Sequence, residues 1–336
     1  MRGSERLNKI LNDIATSIRK KTNSSNLIKP EDFASLIDKI GNGQGERPEV
    51  TRPTYTGHAD AEGLRAIGWT DEDIAYYQAN GVNWNEEDDH LHLVSDDNKA
   101  LYGVLTANNI STYKDRIIYL PKIDTSNVTD MYYYFNCKYM VGMPQIDTSN
   151  ATDLSELFYD CYSLTTIPEL DFSSATEVSE FLCYTNKLRV LPPLDLSKTN
   201  IVSCNYLCSN AFGLERIENL VLPNGATWAS ICEYAYNLQY ACIDLTLAGK
   251  SGTSSYGSSF GSCVSLIHAY IKGLHESLKL SDSALLSKDS LLYIIDNETA
   301  TSAITITLHT SAYARLANDP DIVAALANHP NISIAQ

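Results

Sequence analysis

The chain has 336 residues and a formal charge of −16, with 41 Asp and Glu against 25 Lys and Arg. That balance argues against a nucleic-acid ligand, which needs clustered cations, and gives no attraction to anionic membranes. No run of 18 or more apolar residues occurs, so nothing reads as a membrane span, and the length allows two or three domains.

Residues 7–40 read as two short helices. Leu7, Ile10, Leu11, Ile14 and Ile18 share one face; Pro30, Glu31 and Asp32 open a second helix that carries Phe33, Leu36, Ile37 and Ile40. Some thirty residues make little core, so the two apolar stripes suggest a docking or oligomerising segment over 1–41. The start is amphipathic where a secretory leader would be continuously apolar, and residues 1–4 (Met-Arg-Gly-Ser) read equally as native or as a cloning remnant. Residues 42–54 are a Gly- and Pro-rich linker.

Residues 55–105 read as a small mixed α/β unit, with a helix capped by Thr70 and Asp73 and closed by Gly81. Glu86, Glu87, Asp88 and Asp89, with His90 and His92, read as a solvated turn, because their spacing matches no calcium loop.

Residues 106–273 repeat. IIYLPKID, MVGMPQID, LTTIPELD and LRVLPPLD end at Asp124, Asp147, Asp171 and Asp195, at offsets of 23, 24 and 24 residues. A period of this size predicts a solenoid of about seven short-strand rungs, because no such unit buries its apolar side alone. Ile117, Met140, Leu164 and Leu188 anchor the first four rungs. Leu214, Leu238 and Leu266 anchor the rest, where the proline and aspartate are lost and the pattern degenerates.

Three residues before the anchors stand Cys137, Cys161, Thr185, Ala211, Ala235 and Cys263, all small, which predicts a buried column. Three of the eight cysteines fall in it, so free thiols are expected; Cys204 and Cys208 lack the companions of a zinc site. The stacked aspartates Asp124, Asp147, Asp171 and Asp195 are expected to be satisfied by turn N–H groups. Most of the 21 tyrosines lie in this block. Three successive rings at Tyr132, Tyr133 and Tyr134 cannot all face one core, and with Tyr159 and Tyr162 they form the candidate binding surface.

Residues 274–336 read as an α/β cap outside the repeat. A helix follows Ser287, a strand spans 304–309, a helix spans 313–326 and a last strand ends the chain. The expected fold is therefore α/β: a leucine-rich-repeat-like solenoid between an N-terminal helical hairpin and a C-terminal cap.

The phrase DTSNVTDM…DTSNATDLSELFYDCYSLTTIPELD resembles BspA-type leucine-rich repeats, especially the related repeat family first noticed in mycoplasma lipoproteins, nearly residue by residue over 124–168. The helical opening is similar to the start of tailed-phage structural proteins, and 57–89 with the ITITLHTSAYARLA tail resembles flanks of repeat proteins in phages of gut Bacteroidales. The resemblance implies a non-enzymatic virion protein (tail fibre, baseplate or other appendage) that presents the repeats for host attachment. It also admits a bacterial surface adhesin of the BspA kind. Expected partners are other virion proteins through the N-terminal helices and a host-surface glycan or protein; a homo-oligomer is expected, a trimer being one closed option. Neither a cofactor nor a metal site is expected. No nucleophile elbow, P-loop or HExxH occurs, and His268 and His275 read as structural.

Overall fold

The computed structural model describes residues 61–66, 68–79, 105–251 and 259–336. The helices expected within 7–40, the linker, the helix end at Gly81 and the acidic run at 86–92 lie outside these residues.

Between 117 and 272 the backbone pairs with itself in parallel, one rung on the next. Tyr119 bridges Gly142, Val190 pairs with Arg216, Arg216 with Tyr240, and Tyr240 with His268. A second line of parallel bridges joins Asp130, Asp153, Glu177, Ser203 and Thr227. One parallel sheet holds β1 (Val190–Leu191), β2 (Leu194–Asp195), β3 (Arg216–Val221), β4 (Tyr240–Asp244) and β5 (His268–Lys272).

The rungs that look degenerate in sequence hold the longest strands. Those containing Pro121, Pro144 and Pro168 form isolated bridges at most, and Pro192 and Pro193 separate β1 from β2. Proline has no N–H to give a ladder, so its loss from β3 onward lets the strands lengthen.

Where proline shortens the strands, threonine holds the rungs. Thr125 Oγ1 donates to the Asp147 carbonyl at 2.8 Å and accepts the Asp147 N–H at 3.0 Å. Thr148 Oγ1 makes the same two bonds to Asp171, both at 2.8 Å. Both threonines are buried. The next repeats put Phe172 and Leu196 at this position, and the Leu196 N–H bonds the Val221 carbonyl instead.

Apolar side chains fill the space between the two lines of pairing. Phe135, Phe158 and Phe181 form a file with ring centroids 5.8 and 5.4 Å apart. Burying each such ring or leucine contributes roughly 1.5–3 kcal/mol. Cys137, Cys161, Thr185, Ala211, Ala235 and Cys263 are all 0 % exposed. The column admits nothing larger without displacing a neighbouring rung. Two residues past Ala211, a Cβ on Gly213 would collide with the Asn186 carbonyl.

Helices α1 (Ala61–Ala66) and α2 (Asp71–Ala79) pack on the early rungs through a small core of Leu64, Trp69 and Ile74 with Ile118 and Tyr119. Trp69 Nε1 donates to the Leu120 carbonyl at 2.7 Å. Asp73 caps α2 by accepting the Thr70 N–H at 2.9 Å and also accepts the Gln145 N–H at 3.2 Å, tying the helix start to the repeats. Helix α3 (Ile110–Tyr113) buries Ile110 in the main core.

The parallel pairing does not stop at 273. Strands β6 (Leu278–Leu280), β7 (Ile304–Leu308) and β8 (Ile332–Ala335) form a second parallel sheet. Leu278 pairs with Ile306 and Ile306 with Ile334, the same 28-residue offset that joins Tyr240 to His268. These turns carry helices: α4 (Lys288–Asp296), which follows β5 in the stack with the Ser287 N–H donating to the Ile267 carbonyl and the Gly273 N–H to the Asn297 carbonyl, then α5 (Thr310–Leu316) and α6 (Pro320–Asn328). Ser287 caps α4 by accepting the Ser290 N–H. The single helix expected over 313–326 is two. Asp319 caps α6 by accepting the Asp321 N–H, and Pro320, which has no N–H to continue α5, takes the first position. Leu280, Ile294, Ile306 and Ile322 belong to the same core as the rungs.

Thr148→Val keeps the shape of the threonine clamp and removes its hydroxyl. It leaves the Asp171 N–H and carbonyl without that partner and should cost about 1–3 kcal/mol in urea unfolding, with Thr148→Ser recovering most of the loss. Equal midpoints for the two variants would show that the clamp is dispensable.

Candidate functional site

The sides of the rungs that follow the second line of bridges are built from successive turns rather than strands. Within 154–160 every second N–H donates to the next rung: Leu154 to Glu177, Glu156 to Ser179, Phe158 to Phe181 and Asp160 to Cys183, at 2.9–3.1 Å. The N–H groups between them close turns inside the rung, as Leu157 does to Leu154 and Tyr159 to Glu156.

This arrangement recurs at each level and forces a left-handed backbone twice per rung. Positive φ occurs at Glu156 and Asp160, Glu180 and Tyr184, Tyr206 and Asn210, and Ser230 and Tyr234, with Tyr133 and Ser262 at the two ends. An L-residue held there costs on the order of 1–2 kcal/mol. Glycine would relieve that strain, yet none of these ten positions is glycine. The left-handed pairs therefore carry side chains, and those of Glu180, Tyr184, Tyr206, Asn210 and Tyr234 line one face.

Aromatic rings run along it. Tyr132 meets Tyr133 at 6.2 Å, Tyr133 meets Tyr159 at 5.6 Å and Tyr159 meets Tyr184 at 5.3 Å. The file goes on through Phe212 at 6.2 Å to Tyr236 at 5.5 Å and Tyr234 at 6.2 Å. Tyr132 and Tyr133 are 54 % and 37 % exposed. Tyr134 turns inward instead: its ring packs edge-on against Phe135, its hydroxyl donates to the Ala107 carbonyl, and burial pushes it up to about 12. Tyr162 is half-buried and donates to Asp160 Oδ1 at 2.8 Å.

Carboxylates stand among the rings. Burial raises Glu180, and the charge of Glu156 on the adjacent rung raises it further. Burial raises Glu177 as well, with Asp153 beside it. The Glu156 carboxylate near Tyr132 lifts its phenol.

Sequence reasoning singled out Tyr132, Tyr133, Tyr134, Tyr159 and Tyr162 but not Tyr184, Tyr206, Tyr234, Glu156, Glu180 or Glu233. A signal was present. Asp160, Tyr184, Asn210, Tyr234 and Ser262 each stand immediately before a member of the buried small column, which places them where the chain turns outward.

The aspartate column is self-contained. Asp124 Oδ1 accepts the Ser126 N–H at 3.0 Å and the Ser126 hydroxyl at 2.6 Å, and Asp147 does the same with Ser149 at 2.9 and 2.6 Å. Asp171 and Asp195 accept the Ser173 and Ser197 N–H groups at 2.8 and 2.9 Å. These serine bonds hold all four carboxyls below their ordinary value.

The eight cysteines are unpaired. Burial pushes the Cys161, Cys204 and Cys208 thiols up to about 12, which removes thiolate chemistry from them. His275 bridges the Gly273 and Gly249 carbonyls at 2.9 Å each, a bracing role. On the sheet, Arg216 lies over the Tyr240 ring at 4.2 Å, and Tyr240, His268 and Tyr270 cluster beside it. There the cationic partner is already supplied by the chain.

Among the described residues, no group of three or more His, Cys, Asp and Glu is placed to hold a metal ion. No helix among them is long and apolar enough to cross a membrane. No protein-family model matches the sequence, and no curated protein matches it significantly.

At Glu180 the left-handed backbone reverses an ordinary order: Glu180→Gly should be more stable than Glu180→Ala by about 1 kcal/mol in urea unfolding. Glu180→Ala equal or superior would mean the residue is unstrained.

The two sets of carboxylates respond oppositely to pH. The aspartate bonds stabilise fully above the ordinary value of 3.8, and that contribution is lost as pH falls through the lowered values. Glu177 and Glu180, raised above 4.5, destabilise while charged and are relieved as pH falls toward that value. Glu180→Gln should therefore flatten the stability rise between pH 7 and 4.5, and Asp147→Asn should flatten the fall below 3.8. Parallel curves for Glu180→Gln and the parent would remove the burial effect.

Proposed function

We propose that the chain is a non-enzymatic structural protein of a phage particle, a leucine-rich-repeat-like solenoid of the BspA type that presents a recognition face to the host surface. Residues 1–41 are its attachment segment to other virion proteins, and it works as a homo-oligomer without a cofactor. The observation that carries this reading is the aromatic file from Tyr132 to Tyr236, continuous over five rungs and set among carboxylates. Tyrosine offers large contact area at small entropic cost, and recognition surfaces collect it for that reason. A stacked architecture holds such a surface rigid, because each rung is fixed by its neighbours.

In phage carrying Tyr132→Ser and Tyr133→Ser, the particles should contain the protein at normal level and adsorb to host cells several-fold more slowly. Immunodetection in purified particles and an adsorption time course read the two outcomes. Normal adsorption would remove the recognition role. Protein found in the bacterial envelope and missing from particles would favour the surface-adhesin reading instead.

A further inference from the structure

Part of the aromatic and acidic face closes into a cleft of about 270 Å³ across the rungs that carry Tyr159, Glu180, Tyr206 and Glu233. Four tyrosines line it: Tyr159, Tyr184, Tyr206 and Tyr234. Two carboxylates, Glu180 and Glu233, line it with them. Glu233 is only 5 % exposed. Its backbone carbonyl accepts Ser209 Oγ at 3.1 Å and the Asn210 N–H at 2.8 Å. Its carboxylate makes no hydrogen bond or ion pair with any described residue, and the Glu180 carboxylate makes none either. Both carboxylates line the cleft with their acceptor oxygens uncommitted within the described chain, which leaves them to a cationic donor that enters it.

The lining defines that ligand. Ring faces attract cations, and two carboxylates require hydrogen-bond donors as well as charge. A quaternary ammonium has no N–H to give. A hydrated metal ion gains little from ring faces, and the described residues provide no three-ligand set. Ser209 Oγ is bonded to the Glu233 carbonyl and Asn210 Nδ2 to Ser209 Oγ at 3.2 Å, and two carboxylates hold a charged N–H donor more strongly than the neutral hydroxyls of a sugar. Tyr159 and Tyr184 meet edge to face at 69°, a corner rather than the parallel slot in which a planar guanidinium stacks. What fits is a slender alkyl chain ending in an ammonium with three donors.

We infer that this cleft binds a primary alkylammonium group, the side chain of a lysine on a partner protein, with the ammonium between Glu180 and Glu233 and the alkyl stem against the tyrosine rings. The chain's charge of −16 complements a basic protein surface around such a lysine. The inference gives the ligand chemistry of the face proposed above for recognition, and it rests on that reading.

The test is calorimetric titration of the full chain at low salt with Nα-acetyl-lysine N-methylamide. The expected result is saturable binding, with the arginine analogue weaker and neither the Nε-acetylated lysine analogue nor glucose binding. Glu233→Gln should weaken the lysine analogue about tenfold, and Tyr184→Leu about two- to fivefold, with unchanged circular dichroism. Should Glu233→Gln fail to fold, Glu180→Gln at the half-buried position carries the same expectation. No saturable binding of the lysine analogue, equal binding of its acetylated form, or unchanged affinity in Glu180→Gln would overturn the assignment. Failure here beside a real adsorption defect in the Tyr132→Ser, Tyr133→Ser particles removes the ligand assignment alone. Ammonium binding beside normal adsorption removes the recognition role alone.

Discussion

The described structure depends on one interaction, the hydrogen bond from a rung's N–H to the carbonyl of the next rung. A strand satisfies this with extended backbone, but the turn-built side does it with every second N–H while the others close turns locally. Only a backbone that switches hand can aim its donors that way. The ten left-handed residues are therefore a condition of stacking, and the strain they hold is offset by bonds that exist only when a neighbour is present. Cooperativity between rungs follows from the same fact, since a rung without neighbours keeps the strain and loses the bonds.

The other lines of contact show what happens when that bond is denied. Proline removes the donor in the early rungs, and the chain answers with a side chain, the hydroxyls of Thr125 and Thr148 taking both halves of the missing backbone pair. Leu196 stands at the threonine position on the rung that faces β3, and there its own N–H bonds the Val221 carbonyl; the rungs from β3 onward drop proline and pair as true strands. At the C-terminal end, helix α4 follows β5 in the stack, and β6, β7 and β8 keep the parallel register at 28-residue spacing. Three local chemistries thus serve one stacking requirement.

This explains what the sequence made legible. The period, the anchor residues and the small column could be read directly, because a buried contact repeated at each level constrains residue size, and the column from Cys137 to Cys263 is buried throughout. Strand length follows proline: the rungs that carry the tidy proline-containing motif pair least, and those without it hold the longer strands β3, β4 and β5. The break at Pro320 was passed over because apolar spacing runs on across it from Leu316 to Ile322. The face was only partly legible. Tyr132, Tyr133 and Tyr134 stood out as a run, yet Tyr134 points inward, whereas Tyr184, Tyr206 and Tyr234 are single letters whose common side emerges only from the hand of the backbone. Sequence spacing carries side-chain size far better than it carries φ.

The acidic charge of the chain, finally, is not one property. Asp124, Asp147, Asp171 and Asp195 are carboxylates whose acceptor capacity is taken up by serines two residues on, and they stabilise turns. Glu180 and Glu233 are carboxylates placed among rings in the lining of the cleft, with no donor from the described chain, and burial raises Glu180. Stability alone would favour a neutral residue at Glu180, and glycine for its left-handed backbone. A charge kept where the fold gains nothing from it, next to aromatic faces that attract cations, is best accounted for by something outside the molecule. The aspartates serve the stack, and the glutamates are the carboxylates the stack leaves uncommitted.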